Sequence, residues 1–304
     1  MPDFCDKIRK EAANKGTCRE EEEKCDDVND CENALEDNSV LKILSKFISK
    51  YEVDSHEVVN GRFLRRYFEE EFPSYQQHDA RQFFMALFEA IQLEQNPSNE
   101  KFILFKKDEF REDSKITSVC YHSVIDEFFI GVYETKFCCN SCNAETKVLE
   151  EFNHVPLYLT VGAHPQESFI NFLERPTQNN SVRMKCSSCK KESEFGTTTR
   201  IARYPKYLIF AIERIDSFHR RKITDFCDYP VEFIQKYPDG SENIKYRLHS
   251  TISHSGSLNS GHYTAISKRS EGWMYFNDRK VKDLTRDELK IGGETVLIYK
   301  TDSN

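Results

Sequence analysis

Two Cys-x-x-Cys pairs, Cys139-Asn140-Ser141-Cys142 and Cys186-Ser187-Ser188-Cys189, constrain this chain more than any other local feature. Two residues between cysteines let both thiolates of a tight turn face one ion, and two such knuckles complete a tetrahedral Cys₄ zinc site. The fold must therefore bring together two turns that have 43 residues between them. Each pair follows a strand-like stretch, as a zinc ribbon requires, and Cys138 is an alternative ligand beside the first knuckle. With thiolates at all four positions no open coordination site remains, so the expected zinc stabilises structure and takes no part in chemistry. The N-terminus is charged from Asp3 onward and has no secretion signal, so the 11 cysteines point to reduced, partly metal-bound thiols. An intracellular protein, cytoplasmic and/or nuclear, is expected, with no membrane segment.

Charge narrows the classes of partner. Of the net −8, −7 falls between Met1 and Val40, where 13 acidic residues face 6 basic ones. A basic surface is needed to neutralise phosphate, so nucleic acid is not expected as a partner. Glu20 to Glu23 read as a solvated tail. At 304 residues and 38% apolar, the chain can bury one large core or two to three subdomains.

Residues 1–37 are polar and weakly patterned, and order is expected to begin near Asn38. Beyond it, Val40, Leu41, Ile43, Leu44, Phe47, Ile48 and Tyr51 mark one helix face, and Gly61 to Phe68 and Asp79 to Leu93 repeat the pattern with Gln82 and Gln92 outward. From about Phe128 the period shortens to strands: Phe128 to Tyr133, His154 to Leu159, Tyr207 to Ile212, Tyr246 to Ser253, His262 to Ser267, Trp273 to Asn277 and Thr295 to Tyr299. A brief helical signal at Gln166 to Leu173 interrupts them. The fold class is α+β, a helical front followed by a mostly antiparallel sheet.

One histidine stands out. Gly261 permits close backbone approach ahead of His262, Tyr263 and Ala265 continue a strand, and Asn277-Asp278 ends the next one. An Nδ1–H reaching a side-chain oxygen there would leave Nε2 for a nucleophile, the base-and-orienter half of a catalytic triad. Gly256 to Ser260 is expected to form a mobile loop over this site.

These residues resemble the histidine box of the ubiquitin-specific protease family, papain-like thiol proteases that remove ubiquitin. The resemblance is carried by Tyr246, Leu248, His254, Gly256, Gly261-His262-Tyr263, Trp273, Phe276, Asn277-Asp278, Val281 and Leu297-Ile298-Tyr299. Gln76-Gln77-His78-Asp79-Ala80-Arg81-Gln82-Phe83-Phe84 is similar to the family's glutamine box, and the cysteine knuckles to its zinc-bearing fingers. The resemblance implies a papain-like thumb (38–115), zinc-ribbon fingers (125–200) and an antiparallel palm sheet (201–300) within a domain spanning 38–300, behind an acidic leader of 1–37. It further implies ubiquitin or ubiquitinated proteins as partners, catalysis by His262 with Asn277 and Asp278, zinc on Cys139, Cys142, Cys186 and Cys189, and recognition of the ubiquitin tail by Gln77 and Asp79. Gln82 stands where the family usually has Glu, which removes a negative charge that would pair with tail arginines.

The family's cysteine box reads Gly-Asn-Thr-Cys ahead of an apolar helix. Gly16-Thr17-Cys18 is the nearest match, so Cys18 is the expected nucleophile, although the Asn is missing and Arg19 and Glu20 to Glu23 follow. Cys5, 74 residues before Asp79, and Cys31, 48 residues before it, are the alternatives. Acidic neighbours disfavour a thiolate. An active deubiquitinating protease and an inactive ubiquitin-binding scaffold are the two leading readings; a zinc-ribbon nucleic-acid module fits only the cysteines.

Overall fold

The computed structural model describes residues 2–14, 39–53, 61–73, 75–96, 123–159, 180–216, 218–224, 226–236, 243–258 and 260–301. Order begins well before Asn38. Phe4, Ile8 and Ala12 recur at four-residue spacing and all are buried, so helix α1 (Pro2–Asn14) forms within the acidic segment. Pro2 sits where a helix has no use for an N–H, and Asp3 lies in the first turn, where the helix dipole favours an acid. The stripe is one residue wide among charges, too narrow to stand out by periodicity.

The chain divides into two compact units, Met1–Glu100 with Tyr121–Asp126, and Lys101–Cys120 with Glu127–Asn304. In the first, α1 packs on α2 (Val40–Val53), which in turn meets α3 (Arg62–Tyr67) and α4 (Ala80–Gln95). Ser39 caps α2: its hydroxyl accepts from the Lys42 amide at 3.2 Å and donates to Glu94 Oε1 at 2.5 Å. Glu94 Oε2 takes the Leu41 amide at 3.2 Å, so one carboxylate of α4 fastens the start of α2. Phe68 packs edge-on to Phe72 and Phe83, with centroids 6.4 and 5.3 Å away. Gln92, expected to face outward, instead donates to Asp126 Oδ1 at 2.7 Å, in the short helix α5 (Val124–Phe128). The apolar run at Phe128 to Ile130 therefore closes a helix before the strand starts; all three are buried, and an unbroken buried run shows neither period.

The second unit holds two large sheets. Strands β1 (Gly131–Cys139) and β2 (Glu145–Phe152) precede β3 (Val155–Tyr158), β4 (Asn180–Lys185) and β5 (Glu192–Arg203); β1, β2, β4 and β5 form an antiparallel sheet in the order β2-β1-β5-β4. Glu134 is buried at its centre, 2.8 Å from Arg200 Nη2 and 3.3 Å from Lys147 Nζ. β6 (Tyr207–Glu213) is followed by a ribbon of β7 (Ile215–Asp216) and β8 (Arg221–Lys222), then β9 (Glu232–Lys236), β10 (Asn243–Gly256), β11 (Gly261–Lys268), β12 (Trp273–Asn277), β13 (Lys280–Leu284) and β14 (Glu294–Thr301). The palm sheet has the order β13-β12-β11-β10-β14-β6-β3, with β9 beside β10. β3, within the stretch expected to be fingers, belongs to this sheet and pairs parallel to β6. Tyr207 to Ile212 are all buried, which is why β6 reads as a continuous apolar run. Phe210 meets Tyr299 edge-on at 5.7 Å and Phe233 stacks on Tyr246 at 5.4 Å; each such ring contributes roughly 1.5–3 kcal/mol through burial.

A buried ion pair anchors the palm. Arg214 donates from Nε to the Glu294 carbonyl at 2.6 Å and from Nη1 to the Ile223 carbonyl at 3.2 Å, while Nη2 lies 3.7 Å from Glu294 Oε2. Glu294 Oε1 receives the Gly292 amide at 2.9 Å and lies 3.3 Å from the Tyr229 hydroxyl, whose pKa burial and this carboxylate push well up. Glu294→Ala leaves Arg214 as a buried charge without its carboxylate, and denaturant unfolding is expected to show a loss of about 3–5 kcal/mol. Glu294→Gln, which can still accept from Gly292, is expected to lose less. None of the described helices is long and apolar enough to cross a membrane.

Candidate active site and metal centre

The palm brings His262, Asn277 and Asp278 to one sheet edge. His262 is the second residue of β11, and Asn277 is the last of β12, where Asn277 pairs with Lys280 and only Asp278 and Arg279 link the strands. Asp278 takes a left-handed φ of 50°, which an Asp tolerates better than most residues and which turns the chain at once. His262 Nε2 lies 2.8 Å from Asn277 Oδ1, and Asn277 Nδ2 donates to the Tyr275 hydroxyl at 3.3 Å. An amide oxygen can only accept, so the ring proton sits on Nε2 and Nδ1 is the nitrogen able to take a proton. This reverses the expected use of the two nitrogens: the strand register turns Nε2 to the amide.

Asp278 Oδ2 is 3.8 Å from Nε2 and its side chain is 78% exposed, so water screens it and Asn277 is the nearer orienter. Tyr275 was legible in principle, since it shares a strand face with Asn277 two residues on. Gly261 and Gly256 both have specific reasons to be glycine. A Cβ on Gly261 would sit 2.0 Å from His254 Nε2, and Gly256 has φ +114° with its missing Cβ 2.4 Å from the Ser260 carbonyl. The connection between β10 and β11, expected to be a mobile loop, is tied at its base by the Ser257 amide donating to the Ser260 carbonyl at 2.7 Å.

In the first unit, Asp79 caps α4: its Oδ1 accepts from the amides of Arg81 at 2.7 Å and Gln82 at 3.2 Å. Gln77 is exposed in the turn before it. Cys5 lies in the first turn of α1, half-buried, while Cys18 and Cys31 fall outside the described residues, as does the helical signal at Gln166 to Leu173.

The metal cluster lies in the second unit. The Sγ atoms of Cys139, Cys142, Cys186 and Cys189 all lie within 4.8 Å of one another, with Cys142 and Cys186 at 3.7 Å. A tetrahedron with Zn–S bonds of about 2.3 Å has sulfurs about 3.8 Å apart, so these residues fit the ion. The knuckles repeat each other. The Asn143 amide donates to the Cys139 carbonyl at 2.8 Å and the Lys190 amide to the Cys186 carbonyl at 3.0 Å; both residues are left-handed, with φ of 57° and 62°. Burial opposes a thiolate at Cys139, but the Ser141 amide, the Ser193 hydroxyl and the Cys142 amide outweigh it and bring the thiol down to about 6. The Cys189 amide, outweighing burial, likewise lowers Cys186. At Cys142 burial and its three sulfur neighbours outweigh the helpful Ala144 amide and hold it up, to about 11. Two thiolates favoured beside a retained proton describe a cluster built to exchange that proton for a cation. Cys138 is not among the four.

A papain-like α+β fold with a four-cysteine finger and an asparagine-held histidine defines a ubiquitin-directed hydrolase class. The ubiquitin carboxyl-terminal hydrolase family matches residues 2–299, and the chain belongs to it. It is 24% identical over 257 residues to ubiquitin carboxyl-terminal hydrolase 2 of Bos taurus, covering 75% of this chain and 41% of that protein. It is 22% identical over 284 residues to ubiquitin carboxyl-terminal hydrolase 21 of Homo sapiens, covering 81% and 50%. The chain thus spans half or less of the length of these relatives. Among solved structures, the SAGA Ubp8/Sgf11/Sus1/Sgf73 DUB module bound to ubiquitin aldehyde superposes with a TM-score of 0.64 at 17% identity, covering 100% of this chain and 65% of that one, which shows the shared fold. The same module bound to monoubiquitin gives 0.60 at 20% identity, covering 78% and 51%.

Proposed function

We propose that this chain is a deubiquitinating thiol protease that hydrolyses the bond after the C-terminal glycine of ubiquitin. The observation that carries the reading is the His262–Asn277 hydrogen bond, which leaves Nδ1 as the proton acceptor a thiol needs. In the reaction, Nδ1 takes the thiol proton and the thiolate attacks the glycine carbonyl. The imidazolium then gives its proton to the departing amine, and water hydrolyses the thioester with His262 again as base. Asn277 orients the ring and Asp278 supports its charged form. Cys18 is the proposed nucleophile and Cys5 the second candidate. Gln77 and Asp79 are proposed to hold the ubiquitin tail, and the four knuckle cysteines to hold a structural zinc. Ubiquitin or ubiquitinated proteins are the proposed partners, in the cytoplasm and/or nucleus, with no role for nucleic acid or membrane.

The absence of a Gly-Asn-Thr-Cys sequence anywhere in the chain favours a second reading, a ubiquitin-binding scaffold without activity. Ubiquitin carrying a C-terminal electrophile separates the two. An adduct that disappears in Cys18→Ala and persists in Cys5→Ala is the expected result by mass spectrometry. The reverse pattern keeps the protease and moves the nucleophile to Cys5. Ubiquitin binding with no adduct would make the chain a scaffold.

A further inference from the structure

Lys222 belongs to the short β7–β8 ribbon, and nothing in its local sequence marks it. Its ammonium lies 2.9 Å from His254 Nδ1, 2.8 Å from the His254 carbonyl and 3.1 Å from the Gly256 carbonyl. An ammonium has three N–H donors and no lone pair, so these three acceptors match it and the His254 proton is placed on Nε2. The next residue is clamped to the palm anchor: the Ile223 amide donates to the Arg214 carbonyl at 2.7 Å, and Arg214 Nη1 returns a bond to the Ile223 carbonyl at 3.2 Å. Arg214 in turn is fixed on Glu294. The ammonium is thus presented from a rigid base.

His254 bears on both chain neighbours of His262. Its ring lies 4.6 Å from that of Tyr263, and its Nε2 occupies the space a Cβ on Gly261 would need. Its own amide donates to the Gly293 carbonyl at 2.8 Å, and the following residue, Ser255, is the strand partner of His262 and donates from Oγ to its carbonyl at 3.3 Å.

We infer that Lys222 is a positioning residue for His262, acting through His254: it locks the His254 ring against Gly261 and Tyr263 and so fixes the backbone from which the base projects. The inference rests on His262 being the base, and its test has one arm that needs no activity. Imidazole ¹⁵N NMR of the full chain is expected to show His254 with its proton on Nε2 and His262 bonded through Nε2 in the wild type. In Lys222→Met the His254 tautomer signature changes and the His262 signals shift with it, at an unchanged melting temperature. In Lys222→Arg, whose guanidinium still donates, both are restored. Turnover of a ubiquitin C-terminal reporter is expected to fall about tenfold in kcat with little change in KM, since a small misplacement of a catalytic group costs rate more than binding. Unchanged His262 signals in Lys222→Met overturn the inference, as does an unchanged His254. A wild type without turnover would count against the protease reading alone, and the NMR arm would still decide the role of Lys222.

Discussion

His262→Ala is expected to lower turnover of a ubiquitin C-terminal reporter by about a thousandfold or more, with ubiquitin affinity and melting temperature unchanged. The size of the effect follows from what the ring does. It takes a proton from the nucleophile and returns it to the leaving amine, and no other described side chain lies within hydrogen-bond reach of Asn277 Oδ1 to substitute for it. The lack of a stability effect follows from where the ring is. His262 is 44% exposed by side chain at the end of a strand, so truncation opens no cavity and strands no buried group. Asn277→Ala is expected to cost less, because a ring without its orienter still reaches the productive rotamer part of the time. Kinetics on purified variants against the same reporter check both. A His262→Ala variant within tenfold of wild type would mean that another group is the base.

Much of this site was legible in the sequence because its parts are local. The knuckle cysteines are spaced by the turn that holds them, and α2, α4, β6 and β12 follow from apolar spacing within a few residues of their observed ends. What the sequence concealed depended on contacts between distant residues. Helix α1 hid because Phe4, Ile8 and Ala12 are too few to outweigh the charges between them, and only α2 shows what they pack on. Gln92 looked solvent-facing until Asp126 met it from 34 positions away. The parallel partner of β3 depends on a crossover that no local pattern encodes. For His262, Gly261 and Asn277 signalled that a histidine was held; which nitrogen was held depended on the β11–β12 register. Lys222, 32 positions from His254, left no trace in local pattern at all.

Removing zinc is expected to unfold the tip of the finger sheet while the palm stays intact. The apolar cluster around the knuckles is small, with Cys139, Cys186 and Phe195 buried and Phe137, Ala144, Met184 and Cys189 packed against them, which at roughly 25 cal/mol per Å² cannot by itself offset the entropy of ordering two turns. Zinc supplies about 10–16 kcal/mol in comparable finger peptides, so the ion dominates this end of the sheet. Metal analysis of the purified chain is expected to give one zinc per molecule, lost in Cys186→Ser and on treatment with a strong chelator. Hydrogen exchange then reports where order is lost. The Cys139, Asn143, Cys186 and Lys190 amides, all bonded within the knuckles, should exchange rapidly, while those of β6 and β14 keep their protection. Because binding requires thiolates, acid competes with the ion and the same pattern should appear as pH falls. Reporter turnover is expected to fall through weakened grip on ubiquitin, raising KM, since the ion has no open position for chemistry and the His262–Asn277 pair belongs to the other sheet. A chain that purifies without zinc and keeps its knuckle amides protected under chelation would show that sulfur packing alone holds the finger.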